Sequence, residues 1–85
     1  MEKEVGYVSN YFAKISVAAI EITDDSIKVG DTLHFKGAHD DIKSVVESIQ
    51  IEHQYVTEAK KGESIGLKVP EHVSKHDKVY KVAED

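Results

Sequence analysis

The stretch "SIKVGDTLHFKG", residues 26–37, decides the fold. Its centre, residues 28–31, reads as a turn, because Gly30 accepts a positive φ without steric cost and Asp31 is a turn former. Beyond it apolar and polar side chains alternate strictly, with Leu33 and Phe35 on one face and Thr32, His34 and Lys36 on the other. A period of two marks a half-buried strand, so the stretch is a corner feeding a strand and not a piece of helix.

Working outward, residues 5–9 read as a short strand and "ISVAAIEI", residues 15–22, as a longer one rich in β-branched side chains, with "TDDS" supplying a turn after it. The polar loop "GAHDD", residues 37–41, leads to "IKSVVESIQIEHQYV", residues 42–56. Val46 and Ile49 are three apart, as in a helix, but Ile49 and Ile51 are two apart and β-branched residues dominate. One long strand with a β-bulge between Val46 and Ile49 is expected, since an extra residue returns both side chains to one face. "TEAKKGE", residues 57–63, is expected to hold a single helical turn ending at Gly62. Ile65, Leu67 and Val69 then alternate with Ser64, Gly66 and Lys68, a charged loop opens at Pro70, and "KVYKV", residues 78–82, is the last strand. The ends, residues 1–4 and 83–85, are expected to fray.

Six or seven short strands separated by turns indicate an all-β fold, and closing the sheet into a small barrel would remove its edges. Val8, Ile20, Ile22, Val29, Leu33, Phe35, Val46, Ile49, Ile65, Leu67 and Val79 form the expected core. Eighty-five residues, 40% of them hydrophobic, suffice for one domain, residues 1–85, and not for two cores. The chain has no cysteine, which excludes disulfides, thiolate metal sites and a cysteine nucleophile. No apolar run has the length of a membrane span and "MEKEVGYVSN" lacks a signal-peptide hydrophobic segment, so a cytoplasmic location is expected. The formal net charge is −5, and all eleven basic side chains are lysines. Without arginine's bidentate fork, an acidic chain is poorly equipped for tight, independent nucleic-acid binding.

Taken together, "SIKVGDTLHFKG", "VESIQIEHQYVTEAKKGESIGLKV" (residues 46–69) and "DKVYKV" (residues 77–82) resemble the second domain of elongation factor Tu and its archaeal and eukaryotic relatives. The shared pattern is a VGD corner, a serine–apolar–polar opening of a long strand, and an alanine followed by a glycine turn before the penultimate strand. That resemblance implies a closed six-stranded Greek-key β-barrel. It does not imply nucleotide hydrolysis, because no GxxxxGK[ST] loop is present. Gln50 stands where the family carries a basic residue, Glu52-His53 where a histidine pair is common, and His76-Asp77 where glycine and aspartate are usual. The tRNA-end site of the family is therefore not carried over. The pattern of "VGYV", a central apolar strand and the VGD-type corner also resembles the C-terminal accessory barrel of collagenase-like peptidases, whose relatives include RNA- and tRNA-modifying enzymes. The "SIQIEH" run with its alanine and glycine turn favours the elongation-factor side.

The candidate chemistry is sparse. His72 and His76 are four apart, a ligand spacing on a helix, but they stand in a loop after Pro70 with no third ligand; solvated histidines are the simpler reading. Asp24-Asp25 and Asp40-Asp41 lack the spacing of a calcium loop and suit turns. Ser48 and Ser64 have no nucleophile elbow around them. No catalytic, metal or cofactor-binding residue is expected, and the chain is expected not to be an enzyme. Contact residues for RNA or a partner are expected at Tyr11 and Phe12, two adjacent aromatics that cannot both face one core, and at Lys43, Lys60 and Lys61, with Lys68 nearby as part of a modest basic patch; Tyr7 and Tyr55 add exposed rings. The expected role is a non-catalytic translation-factor-like module engaging a tRNA, ribosomal or translation-factor surface, with weak direct RNA binding, no membrane and no nucleotide. The alternative is a protein-interaction subunit of the collagenase-like peptidase kind, acting in trans, which an exposed apolar patch without clustered lysines would favour.

Overall fold

The computed structural model describes residues 2–38 and 41–82. The described residues form ten strands: β1 (Glu2–Phe12), β2 (Val17–Ile22), β3 (Ser26–Lys28), β4 (Thr32–Lys36), β5 (Asp41–Val45), β6 (Ile49–Ile51), β7 (Gln54–Val56), β8 (Glu58–Lys60), β9 (Ser64–Lys68) and β10 (Lys78–Val82). The all-β expectation is met. Eight strands pair antiparallel in the order β5-β4-β10-β1-β2-β9-β6-β7, and β3 pairs with β8 in a two-stranded ribbon. β5 and β7 stand at the two ends of that order, so the sheet is not the closed six-stranded Greek-key barrel expected from sequence.

The reason lies in residues 42–56, which do not form one bulged strand. β5 pairs with β4 at one end of the order, whereas β6 pairs with β9 and β7 at the other. Between them Val46 docks on the VGD corner: its N–H donates to the Asp31 carbonyl at 2.8 Å and its carbonyl accepts from Gly30 N–H at 2.8 Å. A segment anchored this way crosses from one end of the sheet to the other instead of continuing along one neighbour. The expected helical turn at residues 57–63 is also replaced, by β8 and a tight turn in which Glu63 N–H donates to the Lys60 carbonyl and Gly62 takes φ 92°. Glycine signals the turn correctly, but the residues before it pair with β3.

β1 is long because it bends. Register shifts between Glu4 and Gly6 and between Val8 and Asn10 let it curl along β10 and then β2. Gly6 is required here, since a Cβ would stand 2.2 Å from the backbone carbonyl oxygen of Glu21. Glu2, Lys3 and Glu4, expected as a frayed end, are in register with Val82, Lys81 and Tyr80; residues 83–85 lie outside the described residues.

One core holds both sheets together. Ten of the eleven expected core residues are buried, joined by Val5, Ala18, Ile27, Ala59, Val69 and Val73. The exception is Val29, 44% exposed: its N–H is tied to the Thr57 carbonyl at 3.0 Å as the chain enters the corner, and Ile27, two residues earlier, fills the interior instead.

Candidate functional site

The alternation that buries Ala18, Ile20 and Ile22 of β2 turns Val17, Ala19 and Glu21 outward. Gly66 of β9 lies opposite Ala19 on one side and Gln50 of β6 on the other. With no side chain it leaves a low floor, where a Cβ would meet Val17 Cγ1 at 3.4 Å and Gln50 Cβ at 4.0 Å. Over this floor runs a groove of about 430 Å³, lined by Phe12, Ile15, Val17, Ala19 and Gln50 among others, and continuing past Gly66 toward Tyr55 and Lys68. Its apolar walls are uncovered: Phe12 is 46% exposed, Ile15 60% and Tyr55 73%.

Local backbone geometry holds these walls up. Ile15 is presented by the turn after β1, where its N–H reaches the Phe12 carbonyl at 3.3 Å and Ser16 follows at φ 56°. At the other rim, Glu52 and His53 join β6 to β7 with φ 51° and 65°. Two consecutive left-handed residues make the hairpin connection that Asn-Gly fills without strain. Glu and His adopt it at a cost. Three of the five described non-glycine residues with positive φ therefore border one groove, which is where stored backbone strain is expected at a functional surface.

The other half of the sheet is built differently. On its outer side Lys78 Nζ stands 3.4 Å from Glu4 and Lys36 Nζ lies 5.9 Å from the Tyr80 ring centroid, while Lys3, in register with Lys81 on the other face, reaches Asp24 and Asp25 at 3.7 and 3.8 Å. His34, assigned by its alternation to the outer face, is only 6% exposed. Its Nδ1 lies 2.7 Å from Glu2 Oε2 and its Nε2 hydrogen-bonds the Asp41 carboxylate. The Asp41 hydrogen bond raises the imidazole pKa above its ordinary value, burial opposes the rise, and Glu2 adds to it through both its hydrogen bond and its charge. The same hydrogen bond holds Asp41 below the ordinary carboxylate value.

Of the contact residues expected from sequence, Phe12 belongs to the groove. Tyr11 is half-buried against the core, edge-on to the His72 ring at 4.7 Å. Lys43 sits on β5 opposite His34, while Lys60 sits on β8 opposite Ser26 with Lys61 in the turn beyond. Lys43 and Lys60 thus belong to different sheets, and no strand pairing joins them. His72 is engaged with Tyr11, and His76, at φ 78°, donates its N–H to the Val8 carbonyl. Among the described residues no cluster of three His, Asp or Glu side chains has the geometry to hold a metal ion. Asp24 and Asp25 form a turn, Asp24 Oδ1 accepting from Asp25 N–H; Asp40 lies outside the described residues. Buried Asp77 caps its own turn, accepting from Ser74 N–H at 3.0 Å, and packs where Gly37 leaves room. Sequence reasoning missed Ile15, Val17 and Gly66. The available signal was the pair of small outward positions, Ala19 and Gly66, on two strands flanked by an apolar Val17.

No family model matches the chain. It is 43% identical over 95% of its length to an uncharacterized protease of Methanocaldococcus jannaschii, and 36% identical over 91% of its length to a collagenase of Porphyromonas gingivalis. It spans about a fifth of the length of these curated relatives, 20% and 22% respectively. Among solved structures it superposes on the C-terminal domain of a U32 peptidase candidate from Geobacillus thermoleovorans with TM-score 0.87 at 19% identity, covering 95% of this chain and 93% of that one. No helix among the described residues is long and apolar enough to cross a membrane. These matches overturn the expected kinship with the second domain of elongation factor Tu and with it the translation-factor role. The motifs behind that expectation are corners and glycine turns that any curled sheet needs, and the "SIQIEH" run that favoured it is divided among the link after Val46, β6 and the turn before β7.

Proposed function

We propose that this chain is a non-catalytic accessory domain of the collagenase-like, U32 peptidase kind, which docks through its Phe12–Ile15–Tyr55 face onto the larger body of such a protein. The observation that carries the reading is the uncovered apolar groove over Gly66, held open by strained turns on both rims. Exposed apolar area of this kind marks protein contact. Aromatic side chains at the centre of such a face supply most of its binding energy. The relatives support this choice of occupant, since about four-fifths of each lies outside the part this chain resembles. Charge favours a protein partner over RNA, since the chain is acidic, lacks arginine and distributes its lysines over two sheets.

Isothermal titration of the chain against a purified collagenase-like peptidase body from the same cell, lacking its own C-terminal part, tests the reading. Saturable binding in the micromolar range or tighter, lost in Ile15→Asp, supports it. Absence of heat with any such body overturns the docking, and turnover of a peptide substrate by the chain alone overturns its non-catalytic character.

A further inference from the structure

His34 occupies a position that its strand pattern does not explain. It stands on β4, with Glu2, the first residue of β1, at its Nδ1 and Asp41, the first residue of β5, at its Nε2. β5 adjoins β4 directly, but Glu2 reaches over the intervening β10. Ionised carboxylates only accept hydrogen bonds, so both ring nitrogens must donate, and the ring that satisfies both partners is the imidazolium. A neutral imidazole would turn a lone pair toward one carboxylate.

The surrounding charges leave that arrangement to His34. Across β5 its neighbour is Lys43, and across β10 it is Tyr80. Lys36, further along β4, lies over the Tyr80 ring, and Glu4 on β1 is engaged by Lys78. Glu2 is 28% exposed at its side chain and Asp41 74%, so Asp41 is the partner free to swing into water. It also begins the strand at one end of the sheet.

We propose that His34 is a pH-operated latch: with both nitrogens protonated it pins the starts of β1 and β5 onto β4, and loss of one proton releases Asp41 and loosens the β5 edge. The raised imidazole pKa makes this contribution complete below the ordinary value of 6.5 and lost as pH rises through the raised one. The depressed Asp41 pKa keeps it present above 3.8 and removes it as pH falls through the lowered value. The latch is closed in mildly acidic solution and opens as pH rises through the raised imidazole pKa.

Imidazole proton–nitrogen correlation spectra, combined with amide hydrogen exchange of β5 measured against β9 in the same sample, test this. At pH 6 both His34 nitrogens carry protons. As pH passes the titration, protection of β5 relative to β9 falls roughly tenfold, the scale of a charge-assisted hydrogen bond. Asp41→Asn, on an exposed side chain, moves the step to lower pH without altering β9, and His34→Gln abolishes it. A singly protonated ring at pH 6, a β5-to-β9 ratio constant with pH, or a step unmoved by Asp41→Asn would each overturn the latch.

Discussion

The sheet presents two unlike surfaces to its surroundings. The half made by β5, β4, β10 and β1 engages several of its charges internally, lysine to glutamate, lysine over tyrosine, histidine between two carboxylates. The half made by β2, β9, β6 and β7, together with the end of β1 that pairs with β2, leaves Phe12, Ile15 and Tyr55 uncovered around a glycine floor. Both halves cover the same core, so burial does not distinguish them. What differs is whether these outer side chains have partners within the chain: the charged groups just named do, whereas Phe12, Ile15 and Tyr55 stay exposed.

The largest effect is expected at the boundary between the two halves. Gly6 lies where β1 passes from β10 to β2, and a methyl group there collides with the Glu21 carbonyl. Gly6→Ala should destabilise by about 2–4 kcal/mol, because the obstacle is backbone that cannot rotate away; a urea titration measures it, and a midpoint unchanged from wild type would remove the claim that the two halves depend on this junction. Next in size are changes on the apolar half. Phe12→Ala and Ile15→Asp should leave the urea midpoint within about 0.5 kcal/mol of wild type, as surface substitutions do. Partner affinity should nonetheless fall by at least about tenfold in each, the cost of removing a hot-spot side chain. Equal losses of stability and binding would mean that the face is structural.

The strained rim can be sharpened by relief. Replacing Glu52 and His53 by Asn and Gly fits the hairpin turn and should stabilise the protein by about 1 kcal/mol, read as a raised thermal midpoint. No gain would show that these left-handed residues are unstrained. The smallest effect belongs to the charged half and depends on conditions. Wild-type stability should decline as pH rises through the raised His34 titration, whereas His34→Gln should give a flatter profile over the same range; matching profiles for the two proteins would assign the decline to other groups.

Much of this architecture is legible in the sequence where one strand face is buried and the other wet. Residues 32–36 and 64–68 alternate cleanly, and each is a strand within those bounds. Residues 42–56 are not legible in that way. β5 and β6 are both rich in β-branched side chains, and the only mark of the break between them is polar Glu47-Ser48, which a bulge explains equally well. The phase of the corner is also ambiguous, since Ile27 and Val29 are two apart and only the backbone bond to Thr57 decides which turns inward. The groove was half visible. Adjacent aromatics singled out Phe12, but the contribution of Gly66 depends on its neighbours across β2 and β6. His34 was hidden altogether, because its partners are supplied by residues 32 positions before it and seven after.

The place of β10 has a consequence for how the protein is made. β10, the last of the described strands in chain order, is inserted between β4 and β1, near the middle of the order. Until it emerges from the ribosome, β4 and β5 have no bridge to the rest of the sheet, while β1, β2, β9, β6 and β7 can already assemble with their greasy flank exposed. A nascent chain interrupted before residue 78 would therefore be a sticky half-molecule, with the pairing edge of β1 bare as well. This five-residue strand works as a keystone, joining two groups of strands that pair with each other through nothing else in the order.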